Sequence, residues 1–459
     1  MSEPTQLTVC DVQLYERDVT LRMPFRFGVV TLRESPQVFA KVRIRLADGR
    51  EGWGHSAEML APKWFDKNLE LSNEDNFDQL RHALTTAATL YKGSDPTTAF
   101  GLFRGNYDEQ VRICDARGDG SLVACYGPAV LDRAILDALC RLQGVSFYKA
   151  VQANLPGIVG EEFDINPFLS ALRPSTHIHA RHTVGMVDPI RENPEPVGDG
   201  LPETLQEVIA TYGHRYFKIK VCGDLEEDVQ RLQDIASVLD DSPNEYVISL
   251  DGNEQYNDVA GVMELLDRIE GDAALNRFNN SILFIEQPIS RAVALDVDVA
   301  ALSARKPVIL DESDGFLGAF PRGRELGYRG VSSKTCKGLY KSILNAARCN
   351  HWGEGYFMTG EDLTTQAGLG VQQDLALVNL LGITHVERNG HHYVNGMNGV
   401  PGAEQAAFCS AHPDMYHSAD GVARLQISDG QIAIGSLDAV GFAYGAVPDF
   451  SVMREMANG

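Results

Sequence analysis

Eight short apolar runs, each ending in polar or charged residues, constrain this chain more than any other feature of its sequence. They read IHARHTVGM, YFKIKV, YVISLDGN, ILFIEQP, PVILDES, GVSSKTCK, GYFMTGED and ITHVERN, and they begin at Ile178, Tyr216, Tyr246, Ile282, Pro307, Gly330, Gly355 and Ile383. Successive runs start 23 to 38 residues apart, with stretches of helical character between them. That spacing is one strand plus one return helix, the unit from which parallel sheets are built. Eight such units close into a barrel more naturally than they extend an open sheet. The predicted class is therefore α/β, with a TIM-like (β/α)8 barrel over residues 151–394.

The barrel does not account for the ends of the chain. The first sixty residues alternate as half-buried strands do, in LTVCDVQLYERDV, QVFAKVRIRL and REGWGHSAEM, with a turn at Ala47, Asp48 and Gly49. From about Asn73 to Leu142 the pattern is helical, clearest in PAVLDRAILDALCRLQG, where Gly144 supplies the stop. Residues 1–150 thus read as an α+β capping domain. The tail, 395–459, is Gly- and Pro-rich, with one hairpin-like stretch, ARLQISDGQIAI, turning at Asp429 and Gly430. It is too short for a core of its own and is expected to complete the first domain.

Composition narrows the function. With 63 acidic against 40 basic residues the net charge is −23, which argues against nucleic acid or an anionic membrane as partner, since neutralising phosphates takes clustered Lys and Arg. A small anionic substrate would then need a locally cationic pocket. The eight cysteines include no Cys-x-x-Cys pair, the N-terminus lacks a cationic start followed by an apolar stretch, and no run reaches transmembrane length. A reduced, cytoplasmic protein is expected.

In such a barrel the active site lies at the carboxyl ends of the strands. Lys218 and Lys220 alternate in the second run and point to one side. Asp251 closes the third run, Glu286 the fourth, Asp311 and Glu312 the fifth, and Lys334 the sixth. One carboxylate from each of three neighbouring strands makes a cage of hard oxygens suited to Mg2+, with Asp251, Glu286 and Asp311 as ligands. A lone Asp after an apolar run is usually a helix cap; three at regular spacing, flanked by lysines, are not. Lysines close to a dication and to each other are expected to have lowered pKa values and to act as bases near neutral pH. The proton α to a carboxylate is weakly acidic, and its removal needs that charge stabilisation.

The set FKIK, LDGN, EQP, LDES and SKTCKG resembles the enolase superfamily, in particular its muconate lactonizing enzyme subgroup, over most of the chain. The resemblance implies Asp251, Glu286 and Asp311 as ligands of one Mg2+, with Mn2+ as a substitute. It further implies Lys220 as base on one face of a small carboxylate substrate, Lys218 as its electrostatic partner, and Lys334 as acid/base on the opposite face. The mandelate racemase subgroup instead places a histidine after the seventh strand, where this chain reads MTGED. Racemisation, epimerisation or cycloisomerisation is the implied chemistry, with dehydration of a hydroxy or sugar acid as the alternative. A non-catalytic relative would be expected to have lost a ligand or a lysine, and all six are present. A homo-oligomer is expected from the resemblance alone.

MPFRF (23–27) and GWGH (52–55) resemble the loops that close over the substrate in that family. Arg26 is accordingly a candidate partner of the substrate carboxylate, and His55 and Trp64 are candidates for the pocket wall. Glu361, closing the seventh run, either binds substrate or orients a lysine. Asn253 is expected to support Asp251 by hydrogen bonding, and Glu312 to stand behind the ligands rather than among them. Residues 154–173, 193–197 and 62–67 are expected to enlarge the mouth. The pair His391 and His392 is not read as a metal site, because adjacent residues point apart and no second ligand is spaced for it.

Overall fold

The computed structural model describes residues 4–27, 30–242 and 244–456. The chain opens with three long antiparallel strands, β1 (Gln6–Phe27), β2 (Val30–Leu46) and β3 (Glu51–Met59), in register through pairs such as Val12 with Val42 and Ala40 with Ser56. The alternation in the sequence becomes a buried row on β2, where Val38, Ala40, Val42, Ile44 and Leu46 face inward. β4 (Thr97–Thr98) adds to β1.

Three helices cover this sheet. α1 (Asn73–Lys92) starts on a capping box in which Ser72 and Asp75 satisfy each other's backbone donors. α2 (Ala99–Asp115) is capped by Thr98, and α3 (Ser121–Gln143) ends on Gly144 in the left-handed region at φ 66°. α3 is buried along almost its whole length and lies between the sheet and the barrel. Its approach to β3 depends on Gly54, where a Cβ would stand 2.1 Å from the Ala134 carbonyl oxygen.

The eight runs form eight parallel strands: β5 (His177–Val184), β6 (Tyr216–Lys220), β7 (Val247–Asp251), β8 (Ile282–Glu286), β9 (Val308–Leu310), β10 (Gly330–Ser333), β11 (Phe357–Gly360) and β12 (His385–Glu387). Each pairs with the next, and β12 pairs with β5 through Val386 and Ala180, closing the barrel. Helices return between the strands, among them Leu225–Asp241, Val259–Gly271 and Leu339–Trp352. The fold is thus a closed eight-stranded parallel barrel with an antiparallel-sheet domain on its mouth.

The tail serves both units. β13 (Tyr416–Ala419) pairs with β14 (Val422–Leu425), β15 (Gln431–Ala433) adds antiparallel to barrel strand β5, and β16 (Arg454–Glu455) pairs with β1. The expected hairpin about Asp429 and Gly430 is therefore only a turn, bridged at Ser428 and Gln431. Its two arms pair elsewhere, β14 with β13 and β15 with β5. No helix among the described residues is long and apolar enough to cross a membrane.

Candidate active site

Strand register brings the charged run ends side by side. Lys220 on β6 is the Cα partner of Asp251 on β7, which is in turn the partner of Glu286 on β8. Asp311 follows β9 and Lys334 follows β10. In a closed ring of eight, β6 and β10 are four strands apart, so Lys220 and Lys334 stand on opposite walls with the three carboxylates on the strands between.

Lys218 lies one layer deeper, 1% exposed, and gathers four carboxylates around its Nζ: Asp251 and Glu286 at 2.9 Å, Glu361 at 2.9 Å and Glu387 at 3.2 Å. Lys220 Nζ donates to Asp251 Oδ2 and Asn253 Oδ1, both at 2.6 Å. Lys334 Nζ donates to Asp311 Oδ2 at 2.6 Å and lies 4.0 Å from the centre of the Trp64 ring. Lys337, one turn past Lys334, reaches Asp311 and Asp314 at 3.3 and 3.1 Å and donates to Ser332, itself bonded to Asp311. It braces a ligand candidate from behind and does not line the chamber.

The supporting shell is equally specific. The Asn253 backbone N–H donates to Asp251 Oδ1 at 2.9 Å, and its side-chain amide to Glu312 Oε1 at 3.1 Å. Gln287 accepts from the backbone of Asp311 and Ser313, which fixes the turn carrying Asp311. Asn253, Glu254, Gln287 and Thr364, in the loops after β7, β8 and β11, all have positive φ, at 39°, 69°, 33° and 61°. Non-glycine residues persist there only where surrounding bonds over-determine the backbone, and such strain gathers at working sites.

The charges settle the protonation preferences. Burial alone would discharge Lys218, but Asp251, Glu286, Glu361 and Glu387 outweigh it and hold its pKa well above the ordinary value. Lys334 is likewise raised, burial being overcome mainly by Asp311. The expected lowering is thus not found at these two lysines, because each ammonium sits against more negative than positive charge. Burial also opposes ionisation of Asp311, yet Lys334, Lys337 and Lys218 hold it well below the carboxylate range. Glu286 goes the other way: burial first, then the nearby Asp251 and Glu361, push it far up.

These facts bear on a metal. Asp251, Glu286 and Asp311 are wholly buried and offer only oxygen; Glu286 Oε2 makes no hydrogen bond and has the Lys218 ammonium 2.9 Å away, and behind them Glu312 Oε2 has no hydrogen-bond partner. A buried surplus of carboxylates with unpaired oxygens suits a hard dication. The three are not drawn to ion-sharing distance: among the described residues, the sets of ligand atoms within 4.8 Å of one another are His182–His214–His391 and His82–Cys114–Asp119. The lysines hold Asp251 and Asp311 apart, so a cation would take these oxygens from Lys218, Lys220 and Lys334.

A cavity of about 30 Å³ lies over the lysines, lined by Lys218, Lys220, Lys334, Asn253, Glu387 and Asn389, with Asp362, Leu363 and Thr364 from the loop after β11. Phe25, Leu32, Ala61 and Trp64 of the capping domain form its roof. Phe25 and Leu32 are cross-strand partners near the end of the β1–β2 pair. The volume admits two or three waters, far short of the few hundred Å³ of an organic ligand site. Residues 62–67 therefore fill the mouth rather than enlarge it: Trp64 lies on Lys334, and Lys67 reaches Glu254 at 2.5 Å and the Asn253 carbonyl at 2.6 Å. The segment after residue 197 walls a separate cavity of about 650 Å³.

Of the expected substrate contacts, Trp64 lines the chamber and three do not. Arg26 is exposed, because the strand alternation that turns Phe25 inward turns its neighbour out. His55 is tied instead to the tail, its Nδ1 2.6 Å from Tyr444 Oη and its ring 5.2 Å from that of Phe450. Glu361 bonds Lys218 and Arg181 and so orients the lysine. Sequence reasoning passed over Glu387 and Arg181, which end the eighth run and interrupt the first. Glu387 accepts from Thr183 at 2.6 Å, from Asn389 at 3.0 Å and from Lys218; the strand-end rule that selected Glu286 also applied to it. The pair His391 and His392 is not read as a metal site from the sequence, but folding brings His391 close to His182 of β5 and His214 of the connection into β6.

No family model matches the chain, and no curated protein matches it. Solved structures do. Muconate lactonizing enzyme from Pseudomonas fluorescens, complexed with muconolactone, superposes with a TM-score of 0.58 at 19% identity, over 97% of each chain. Dipeptide epimerase from Cytophaga hutchinsonii, complexed with Mg and D-Ala-L-Val, gives 0.58 at 16% identity over 98% of this chain and 99% of that one. 2-Chloromuconate cycloisomerase from Rhodococcus opacus 1CP gives 0.60 at 16% identity over 97% and 98%. A capping sheet over a closed barrel, matched along nearly the whole length, gives this chain the fold of the muconate lactonizing enzymes and dipeptide epimerases of the enolase superfamily.

Proposed function

We propose that this protein removes the proton α to the carboxylate of a small organic acid, with Mg2+ as cofactor, and either returns a proton to give a racemised or epimerised product or expels a β-group, the reverse of a cycloisomerisation. The observation that carries this reading is the pair of lysines, Lys220 and Lys334, on opposite walls of one chamber with three buried carboxylates on the strands between them. Two amines facing each other across a planar intermediate serve its two faces, one taking the proton and the other giving one back.

Asp251, Glu286 and Asp311 would hold the metal, which when bound supplies positive charge beside the substrate carboxylate and so lowers the barrier to α-deprotonation. Lys220 moves the proton at Nζ, oriented by Asn253 Oδ1. Lys334 holds its own at Nζ under the Trp64 ring. Lys218 stays charged at the floor and fixes Glu361 and Glu387. Leu32, Ala61, Trp64 and Leu363 exclude water and select a substrate with an apolar flank. The volume of about 30 Å³ is smaller than such a substrate, so binding it calls for movement of the roof residues. Complexes of similar enzymes with Mg and either mandelic acid or a dipeptide support a carboxylate substrate.

The test is α-hydrogen exchange in deuterated water with Mg2+ and a panel of carboxylic acids carrying apolar side chains, read by mass. Exchange that disappears in Lys220→Ala and in Lys334→Ala is the expected result. Undiminished exchange in both variants overturns the assignment, and net loss of water selects dehydration instead.

A further inference from the structure

We propose that the chain carries a second metal site, distinct from the chamber, in which His182, His214 and His391 bind a borderline dication such as Zn2+. One nitrogen from each ring lies within 4.8 Å of the others, and the ring centres are 5.2 to 5.5 Å apart. Tetrahedral Zn2+ with nitrogens about 2.0–2.1 Å away needs them roughly 3.4 Å from one another, within reach of small side-chain rotations.

The three come from separate places. His182 lies between Arg181 and Thr183, which point into the barrel at Glu361 and Glu387, so strand alternation turns it outward to face Phe217. His214 lies in the connection leading into β6, and His391 in the short helix Gly390–Tyr393 after β12. Their bonding is that of ligands awaiting a cation. His214 Nδ1 is 3.0 Å from the Ala180 carbonyl, which only accepts, so Nδ1 carries the proton and Nε2 is a bare lone pair. That Nε2 has no partner, nor have His182 Nδ1 or His391 Nε2, and all three atoms are out of contact with solvent. A ligating imidazole typically donates its second nitrogen to a backbone carbonyl in this way.

Three ring nitrogens shielded from solvent, one on each packed imidazole and none with a hydrogen-bond partner, are costly without a shared partner. Nitrogen donors also suit Zn2+ better than Mg2+, which keeps the two sites chemically separate. His391 forms part of the wall of the 650 Å³ cavity, together with Glu207, Asp420, Arg424 and the Asp199 that pairs with Arg22, which gives a cation a polar approach. No residue lines both this cavity and the chamber over the lysines. Three protein ligands leave the fourth position to a water from the cavity.

The test strips the full chain with a chelator, then equilibrates it with Zn2+ in the presence of a large excess of Mg2+ and measures retained metal. Wild type is expected to hold one Zn2+ per chain. His214→Gln and His391→Asn should each weaken retention by about tenfold or more, while Glu286→Gln keeps it. X-ray absorption at the zinc of the wild type should report three imidazole nitrogens, and this measurement decides if the histidine variants do not fold. No retention by wild type, retention unchanged in both histidine variants, or a coordination shell of oxygens alone would each overturn the site.

Discussion

Replacing Lys218 by Met tests the charge arrangement at its centre. Met keeps most of the stem and removes the one cation shared by Asp251, Glu286, Glu361 and Glu387. Three of the four keep another partner: Asp251 has Lys220, Glu361 has Arg181, and Glu387 has Thr183, Asn389 and the Asp362 backbone. Glu286 has none, so it loses its only bond, and its burial leaves it in the protonated form. Removing one partner of a buried ion pair costs about 3–5 kcal/mol, and a single orphan that can neutralise itself puts this variant near 3 kcal/mol. At the usual unfolding entropy per residue, a chain of this length shifts by about 1 °C per kcal/mol, so Tm should fall by roughly 3 °C in the presence of a chelator. Adding Glu286→Gln to Lys218→Met should recover part of that loss, with a coupling of about 1–2 kcal/mol. Differential scanning fluorimetry with calorimetric confirmation reads both. A drop below about 1 °C, or a double variant no more stable than the single one, would refute the claim that Lys218 holds Glu286 in its charged neighbourhood.

Three further outcomes follow from the same geometry. Lys220→Ala and Lys334→Ala should each lower α-exchange by about 10²–10⁴-fold while Tm stays within a few degrees, the loss expected for a proton-transfer group; equal loss of fold and activity would argue for a structural role. Asn253→Ala removes a bond to Lys220 and another to Glu312, so Mg2+ binding by titration calorimetry should weaken about tenfold, and an unchanged affinity would show that the amide does not position the site. His55 and His412 are both held near pKa 4, chiefly by burial. A folded-state value below the unfolded 6.5 means that the unfolded chain binds the extra proton. Each therefore contributes stability that is complete above about pH 6.5 and is lost toward pH 4, at up to about 1.4 kcal/mol per pH unit. Tm of His55→Gln plotted over that window should slope less steeply than wild type, and parallel slopes would contradict it.

What the sequence revealed and what it hid differ in physical kind. Strand number, order and the identity of the charged strand ends are local properties, carried by apolar runs and their terminators, and Lys220, Asp251, Glu286 and Lys334 could be read directly from them. The sign of a lysine's pKa shift is not local. It depends on how many carboxylates reach the same nitrogen, and for Lys218 two of the four, Glu361 and Glu387, arrive from β11 and β12, over 140 residues away in sequence. Arg26 and His55 were misplaced because a loop pattern says that a segment approaches the mouth without saying which alternate side chain points there.

The histidine cluster is the extreme case of that rule. Nothing in the local sequence pairs His391 with its partners; closure of β12 on β5 brings in His182, whose ring also lies 4.9 Å from that of His392, and the entry to β6 brings in His214. The same closure places Glu387 beside Lys218 on the inner face of the barrel. One strand pairing thus builds a polar cluster on each of its faces, carboxylates with lysines inside and imidazoles outside, and alternation decides which residue joins which. A substitution that shifted β5 by one residue against β12 would exchange Arg181 for His182 at the inner face and should abolish Zn2+ retention and α-exchange together. Loss of only one of them would mean that the two clusters do not share that register.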